Sequence, residues 1–195
     1  MLRLFYYYMD INRPKTRSFI AINLPPEIKT HLKQLMDELR SKNTSPDIKW
    51  VNPDGIHITL HFLGYLTAQQ IEQVAEIINR SIVSPLNINL KLTTLGGFPN
   101  LKKPRILFVS CQEVGDNKLS NLHATIGQAL KQINLRVDER PWSIHLTLSR
   151  LNMPQAITMP IIKDKALNFS AHSIELMKSE LSRSGAKYSL IKKFN

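Results

Sequence analysis

Two of the chain's six histidines stand in the same local setting. His57 opens HITLHFLG and His145 opens HLTLSR, so that each is followed two residues later by a threonine and three residues later by a leucine. In an extended strand alternate side chains share a face. His57, Thr59 and His61 then point one way while Ile58, Leu60 and Phe62 point the other, and His145, Thr147 and Ser149 oppose Ile144, Leu146 and Leu148 in the same manner. The apolar sets can pack beneath helices, which leaves the polar sets facing a cleft. Two imidazoles across a cleft make an acid-base pair, because a reference pKa of about 6.5 leaves both protonation states accessible near neutrality. A threonine hydroxyl beside each ring can donate to a phosphoryl oxygen. A phosphodiester held between the strands would have its base and its acid on opposite sides, as in-line displacement requires.

Either histidine alone reads as an ordinary surface or hydrogen-bonded strand residue; the joint pattern gives the pair its meaning. His31 and His123 fall on helical segments and read as solvated, and His172 has no threonine two residues on. Zinc is the rival chemistry, since His57 and His61 share a predicted face and imidazole is a common ligand. Yet Asp54 lies in the preceding turn and Cys111 in another strand, so the segment offers nothing to complete a site, and neither a metal nor another cofactor is expected. Arg150 breaks the alternation, which would bury it beside Leu146 and Leu148. Either the strand ends or bulges near Ser149 and frees a bidentate phosphate clamp, or the arginine is a surface residue at the strand end. Phe62 is expected in the core; for Trp142, base stacking and core packing stay open.

The remaining sequence supplies elements to position these groups. RSFIAINL reads as a strand halted at Pro25-Pro26, and Ile28, Leu32, Leu35, Met36 and Leu39 then recur at helical spacing as far as Lys42. Thr67-Ala68-Gln69-Gln70 has the form of a capping box opening a second helix. LNINLKLTTL and RILFVSC form a predicted hairpin around Gly96-Gly97, and Asp116 is placed to cap a third helix. NFSAHSIELMKSEL and AKYSLIKKF follow as two strands joined by Arg183-Ser184-Gly185. The order β α β α β β α β β β indicates an α+β fold rather than a doubly wound parallel sheet. The two histidines are 88 residues apart, each after a β-α passage, which suggests two related lobes.

Lysine and arginine outnumber aspartate and glutamate by 26 to 15, giving a net charge of +11 that favours a polyanionic partner or simply a soluble basic surface. Cys111, the single cysteine, excludes an intramolecular disulfide and a cysteine-rich zinc module, and it reads as a buried inert thiol. No run approaches the ~20 apolar residues that span a bilayer. The opening MLRLFYYYMD lacks a cleavage-site pattern, so a cytoplasmic protein without membrane attachment is expected.

Taken together the blocks RSFIAINLPPEI, WVNPDGIHITLHFLG, GGFPNLKKPRILFVS, RPWSIHLTLSR and SELSRSGAKYSLI resemble, in order, those of the two-histidine (2H) phosphoesterases, and among them the RNA 2′,3′-cyclic phosphodiesterases, also called 2′-5′ RNA ligases. The resemblance implies a two-lobed, pseudo-symmetric α+β fold, with antiparallel sheets lining a central groove and helices outside. It implies an N-terminal extension over residues 1–16 and one bilobal domain over 17–195. The implied activity is metal-independent opening of a terminal 2′,3′-cyclic phosphate to a 2′-phosphate on RNA, with some members also joining tRNA halves through 2′-5′ linkages; RNA partners that include tRNA fragments, and a monomer, are expected. His57 would be the general acid to the leaving 3′-oxygen and His145 the general base on water; Thr59, Thr147 and Arg150 would bind the phosphate. Two positions depart from the family pattern: Ile144 stands where a proline usually precedes the second histidine, and Tyr65 where an acidic residue usually follows FLG. A non-catalytic RNA-binding module and a phosphodiesterase for small cyclic nucleotides are the alternative functions.

Overall fold

The structure, a computed structural model, describes residues 14–159, 167–182 and 185–195. Nearly all of the predicted N-terminal extension and the first two residues of the Arg183-Ser184-Gly185 connection lie outside them. Among the described residues, nine strands and three α-helices follow in the order β1 (Thr16–Asn23), α1 (Pro26–Lys42), β2 (Ile48–Trp50), β3 (His57–Leu66), α2 (Ala68–Ser81), β4 (Ile88–Phe98), β5 (Ile106–Glu113), α3 (Lys118–Gln132), β6 (His145–Leu151), β7 (Asn168–Ala171), β8 (Ile174–Ser182) and β9 (Gly185–Phe194).

The strands form two antiparallel sheets, one of four strands in the order β3-β1-β8-β9 and one of five in the order β2-β6-β5-β4-β7. Each sheet holds one histidine strand, which is the two-lobed α+β arrangement expected. Three elements differ from the sequence reading. Ile48–Trp50 is a strand, too short for an alternation to be visible. The run NFSAHSIELMKSEL is two strands rather than one: β7 belongs to the five-stranded sheet and β8 to the four-stranded sheet, with His172 and Ser173 at the crossing. The third helix is capped not by Asp116 but by Glu113 at the end of β5, whose carboxylate accepts from the Leu119 and Ser120 amides.

Local chemistry sets the other helix starts. Pro26 occupies the first turn of α1, where a missing amide proton costs nothing. Thr67 and Gln70 close the capping box of α2 in both directions. The apolar stripes of the three helices, among them Leu32 and Met36, Val74 and Ile78, and Ile126 and Leu130, all enter one buried cluster. That cluster also takes Ile58 and Leu60 from β3 and Leu146 and Leu148 from β6. The two histidine strands thus rest on a shared core. Cys111 lies in it as expected, and burial pushes its thiol up to about 12.

Candidate active site

The chain enters β3 through a 3-10 turn at Pro53–Gly55, steadied by the Asn52 side chain accepting from the Asp54 amide. The turn sets the Gly55 carbonyl 2.7 Å from Nδ1 of His57. The second lobe repeats this contact: the Ser143 carbonyl is 2.8 Å from Nδ1 of His145. A carbonyl only accepts, so each Nδ1 carries the hydrogen and each Nε2 is left to exchange a proton. The two rings share one groove, a cavity of about 350 Å³ whose wall also contains Thr59, Thr147 and Arg150. All five residues expected to do the chemistry are therefore together. Among the described residues neither threonine hydroxyl has a hydrogen-bond partner, and Arg150 has neither a hydrogen bond nor an ion pair.

Burial pushes the His57 pKa below the usual 6.5; its bond to Gly55 opposes this, and the charges of Lys29 and His145 reinforce it. The shift favours the neutral ring at pH 7. An anion beside it would supply the charge that favours its protonation.

A bulge resolves the parity of Arg150. In the pairing of β5 with β6, Phe108 stands opposite Thr147 and Leu107 opposite Ser149, so Leu148 is an extra residue. From that point the faces exchange: Ser149 turns inward and is fully buried, its hydroxyl without a hydrogen-bond partner among the described residues, while Arg150 turns out to the groove. The first lobe has the same device. Ala21 stands opposite Thr59 and Ile20 opposite His61, which makes Leu60 the extra residue. His61, expected on the groove face, is 5% exposed, and Phe62, expected in the core, is 54% exposed at the groove wall. The bulges leave HxT on the groove in both strands and put Phe62 and Arg150 at equivalent places five residues after each histidine.

The buried His61 ends in a stack of flat rings. It lies 4.2 Å from His123 of α3, whose other face is 4.1 Å from Trp142, the rings tilted by 12° and 9°. Gly127 leaves it room, since a Cβ there would stand 3.1 Å from His61 Cε1. His61 also bonds the His123 carbonyl at 2.9 Å, and the Trp142 indole donates to the Thr59 carbonyl at 3.1 Å. Trp142 therefore packs between the lobes rather than facing a ligand, and His123 is not a solvated helix residue: burial and its neighbour His61 push its pKa down to about 4. With His61 turned away from His57, the two cannot share an ion as the strand alternation suggested.

Sequence reasoning passed over the aromatic walls. His57 lies 4.8 Å from Phe19 and 5.0 Å from Tyr188, and His145 lies 5.7 Å from Phe98 and 5.6 Å from Phe108. The signal for the second wall was Gly96 in GGF: a Cβ there would meet Phe108 Cζ at 2.5 Å, so only glycine lets that ring lie across β4. A wider basin of about 1060 Å³ lies beyond Phe62, lined in part by charges that pair with each other, Lys131 with Glu139 and Arg140 with Asp138. It contains no histidine, whereas His57 and His145 both line the smaller groove.

A family model described as LigT like Phosphoesterase matches residues 22–108, a span that holds the first histidine segment. An RNA 2′,3′-cyclic phosphodiesterase of Methanocaldococcus jannaschii is 29% identical over 185 residues, covering 91% of this chain and 99% of the relative, a span that includes both histidine segments. One from Archaeoglobus fulgidus is 27% identical over 157 residues, covering 80% of this chain and 82% of the relative. In fold the chain is similar to a solved Thermus thermophilus protein, with a TM-score of 0.78 at 23% identity over 91% of this chain and 96% of that one. It is also similar to E. coli LigT complexed with 3′-AMP, with a TM-score of 0.74 at 23% identity over 92% and 97%.

Proposed function

We propose that this chain, a LigT-like phosphoesterase by its sequence match and by the fold of both lobes, is an RNA 2′,3′-cyclic phosphodiesterase that needs no metal. One observation carries the reading: two imidazoles with Nδ1 fixed on backbone carbonyls share a cavity with two threonine hydroxyls and a guanidinium that have no partner among the described residues. The terminal cyclic phosphate sits between the rings. Thr59 and Thr147 donate to its non-bridging oxygens, and Arg150 adds a forked, charged contact. His145 Nε2 takes a proton from water as the oxygen attacks phosphorus, the bond from phosphorus to O3′ breaks, and His57 Nε2–H protonates O3′. The products are a 2′-phosphate and a 3′-hydroxyl. Burial lowers the His57 pKa in the free protein, and the charge of a bound substrate anion opposes that shift and favours the protonated form that the acid role needs.

If a ribose 5′-hydroxyl replaces water as the nucleophile, the same groups build a 2′-5′ linkage, and the ends of cut tRNA are suitable substrates for either reaction. Residues 17–195 act as one bilobal unit, a cytoplasmic monomer in this reading, with residues 1–16 as an extension. Among the described residues no helix is long and apolar enough to cross a membrane. The test is product analysis by ³¹P NMR after incubation with an oligoribonucleotide ending in a 2′,3′-cyclic phosphate, in the presence of EDTA. A 2′-phosphomonoester is expected. A 3′-phosphate product, or no opening until a metal is added, would refute the proposed bond cleavage or the metal independence.

A further inference from the structure

Resting on the phosphodiesterase reading, we infer that the β4–β5 turn and the aromatic pair beside it form a second binding site, which holds the RNA strand 5′ to the cyclic phosphate. The site makes a polynucleotide, rather than a free cyclic nucleotide, the substrate class. The aromatic part is fixed by packing. Phe98 and Phe108 are stacked at 4.5 Å, both reach His145 edge-on, and Phe98 is still 41% exposed. A large apolar ring left open one ring-width from the reactive imidazole is a platform for a nucleobase, whose flat face any base can supply.

The charged part follows directly in the chain. Residues 99–105 carry Lys102, Lys103 and Arg105 and no carboxylate, and all three cations are exposed. Among the described residues none of the three has an ion pair. The turn is also preset. Asn100 Oδ1 accepts from the amides of Lys102 and Lys103, and Gly97 permits the close return, since a Cβ there would stand 2.8 Å from Pro104. The Arg105 amide donates back to the Phe98 carbonyl and its own carbonyl accepts from the Leu151 amide, so the backbone of the turn is tied to the strand end that carries Arg150. Unpaired cations next to an open aromatic ring suit a chain of alternating bases and phosphates. A cyclic mononucleotide has no further phosphate to offer them.

The experiment compares wild type, Lys102→Ala/Lys103→Ala and Phe98→Leu on a 2′,3′-cyclic mononucleotide and on a ten-residue oligoribonucleotide with the same terminus. It also measures binding of an oligoribonucleotide bearing a 3′-phosphate, by fluorescence anisotropy. The ratio of kcat/KM for oligonucleotide over mononucleotide should fall about tenfold in the lysine variant, and the slope of log Kd against log salt should drop by about 1.4, as expected for two lost single-strand phosphate contacts. Phe98→Leu should weaken oligonucleotide binding about tenfold with the salt slope unchanged. Equal ratios and equal binding in all three proteins would overturn the second site. If wild type opens neither substrate while binding still depends on Lys102, Lys103 and Phe98, the proposed reaction fails and the site stands.

Discussion

Acidification should destabilise this protein in large part through one ring, and replacing that ring should remove that part of the loss. His123 has a pKa of about 4 in the fold against 6.5 when free, because it is packed between His61 and Trp142. A folded pKa that is depressed means that the unfolded chain binds the extra proton. The stabilisation is then complete above pH 6.5 and is lost progressively as the pH falls toward 4. Between pH 7 and pH 5 these two values give about 2 kcal/mol from His123 alone, and solvent at the ring's open edge brings the expectation to about 1–2 kcal/mol. His57 and His61 shift in the same direction and add to the loss. His123→Phe keeps a flat ring in the stack and removes the proton. Urea unfolding at pH 7 and pH 5, followed by tryptophan fluorescence, should show the variant losing about 1–2 kcal/mol less than wild type over that interval, with unchanged m-values. Comparing the two slopes cancels whatever the substitution costs at neutral pH. Equal losses in the two proteins would refute the assignment of the buried stack.

Three further outcomes follow from the groove. Ser149→Ala should leave kcat/KM unchanged and leave the melting temperature equal or higher, because the hydroxyl it removes is buried and unpartnered; a large loss of activity would put Ser149 back on the groove face and remove the bulge. Arg150→Lys keeps the charge but loses the fork, so KM should rise about tenfold with the melting temperature unchanged, as read from initial rates and calorimetry. In the free protein His57 should titrate below 6.5 by NMR and move upward when inorganic phosphate is added, whereas a midpoint unmoved by phosphate would separate that ring from the anion site.

Much of this site was legible in the residues because period-two alternation holds from His57 to Leu60 and from His145 to Leu148. It placed His57, Thr59, His145 and Thr147 on one face, and it correctly made Arg150 the position where a regular strand could not be the whole account. What alternation cannot show is where a strand takes an extra residue, because a leucine that pairs and a leucine that bulges are the same letter. The misplacement of His61, Phe62 and Ser149 all comes from Leu60 and Leu148. His123 was misread for a related reason: its surroundings come from β3 and from the approach to β6, which helical spacing does not contain. Reciprocal and local signals such as Thr67 with Gln70 were read correctly, while the cap on α3 came from Glu113 in the preceding strand and was assigned to Asp116 instead. The break at His172 was hidden because only two residues separate β7 from β8, which join different sheets.

The central claim is that His57 and His145 are the two proton carriers, and single substitution tests it most directly. Wild type, His57→Ala and His145→Ala, each shown to be folded by circular dichroism, would be given an oligoribonucleotide with a 2′,3′-cyclic phosphate end in EDTA, and the initial rate of opening measured. Each substitution should lower kcat by about 10²-fold or more while the wild type turns over freely. Near-normal turnover by either variant, or an intact substrate with wild type, would contradict the two-histidine mechanism.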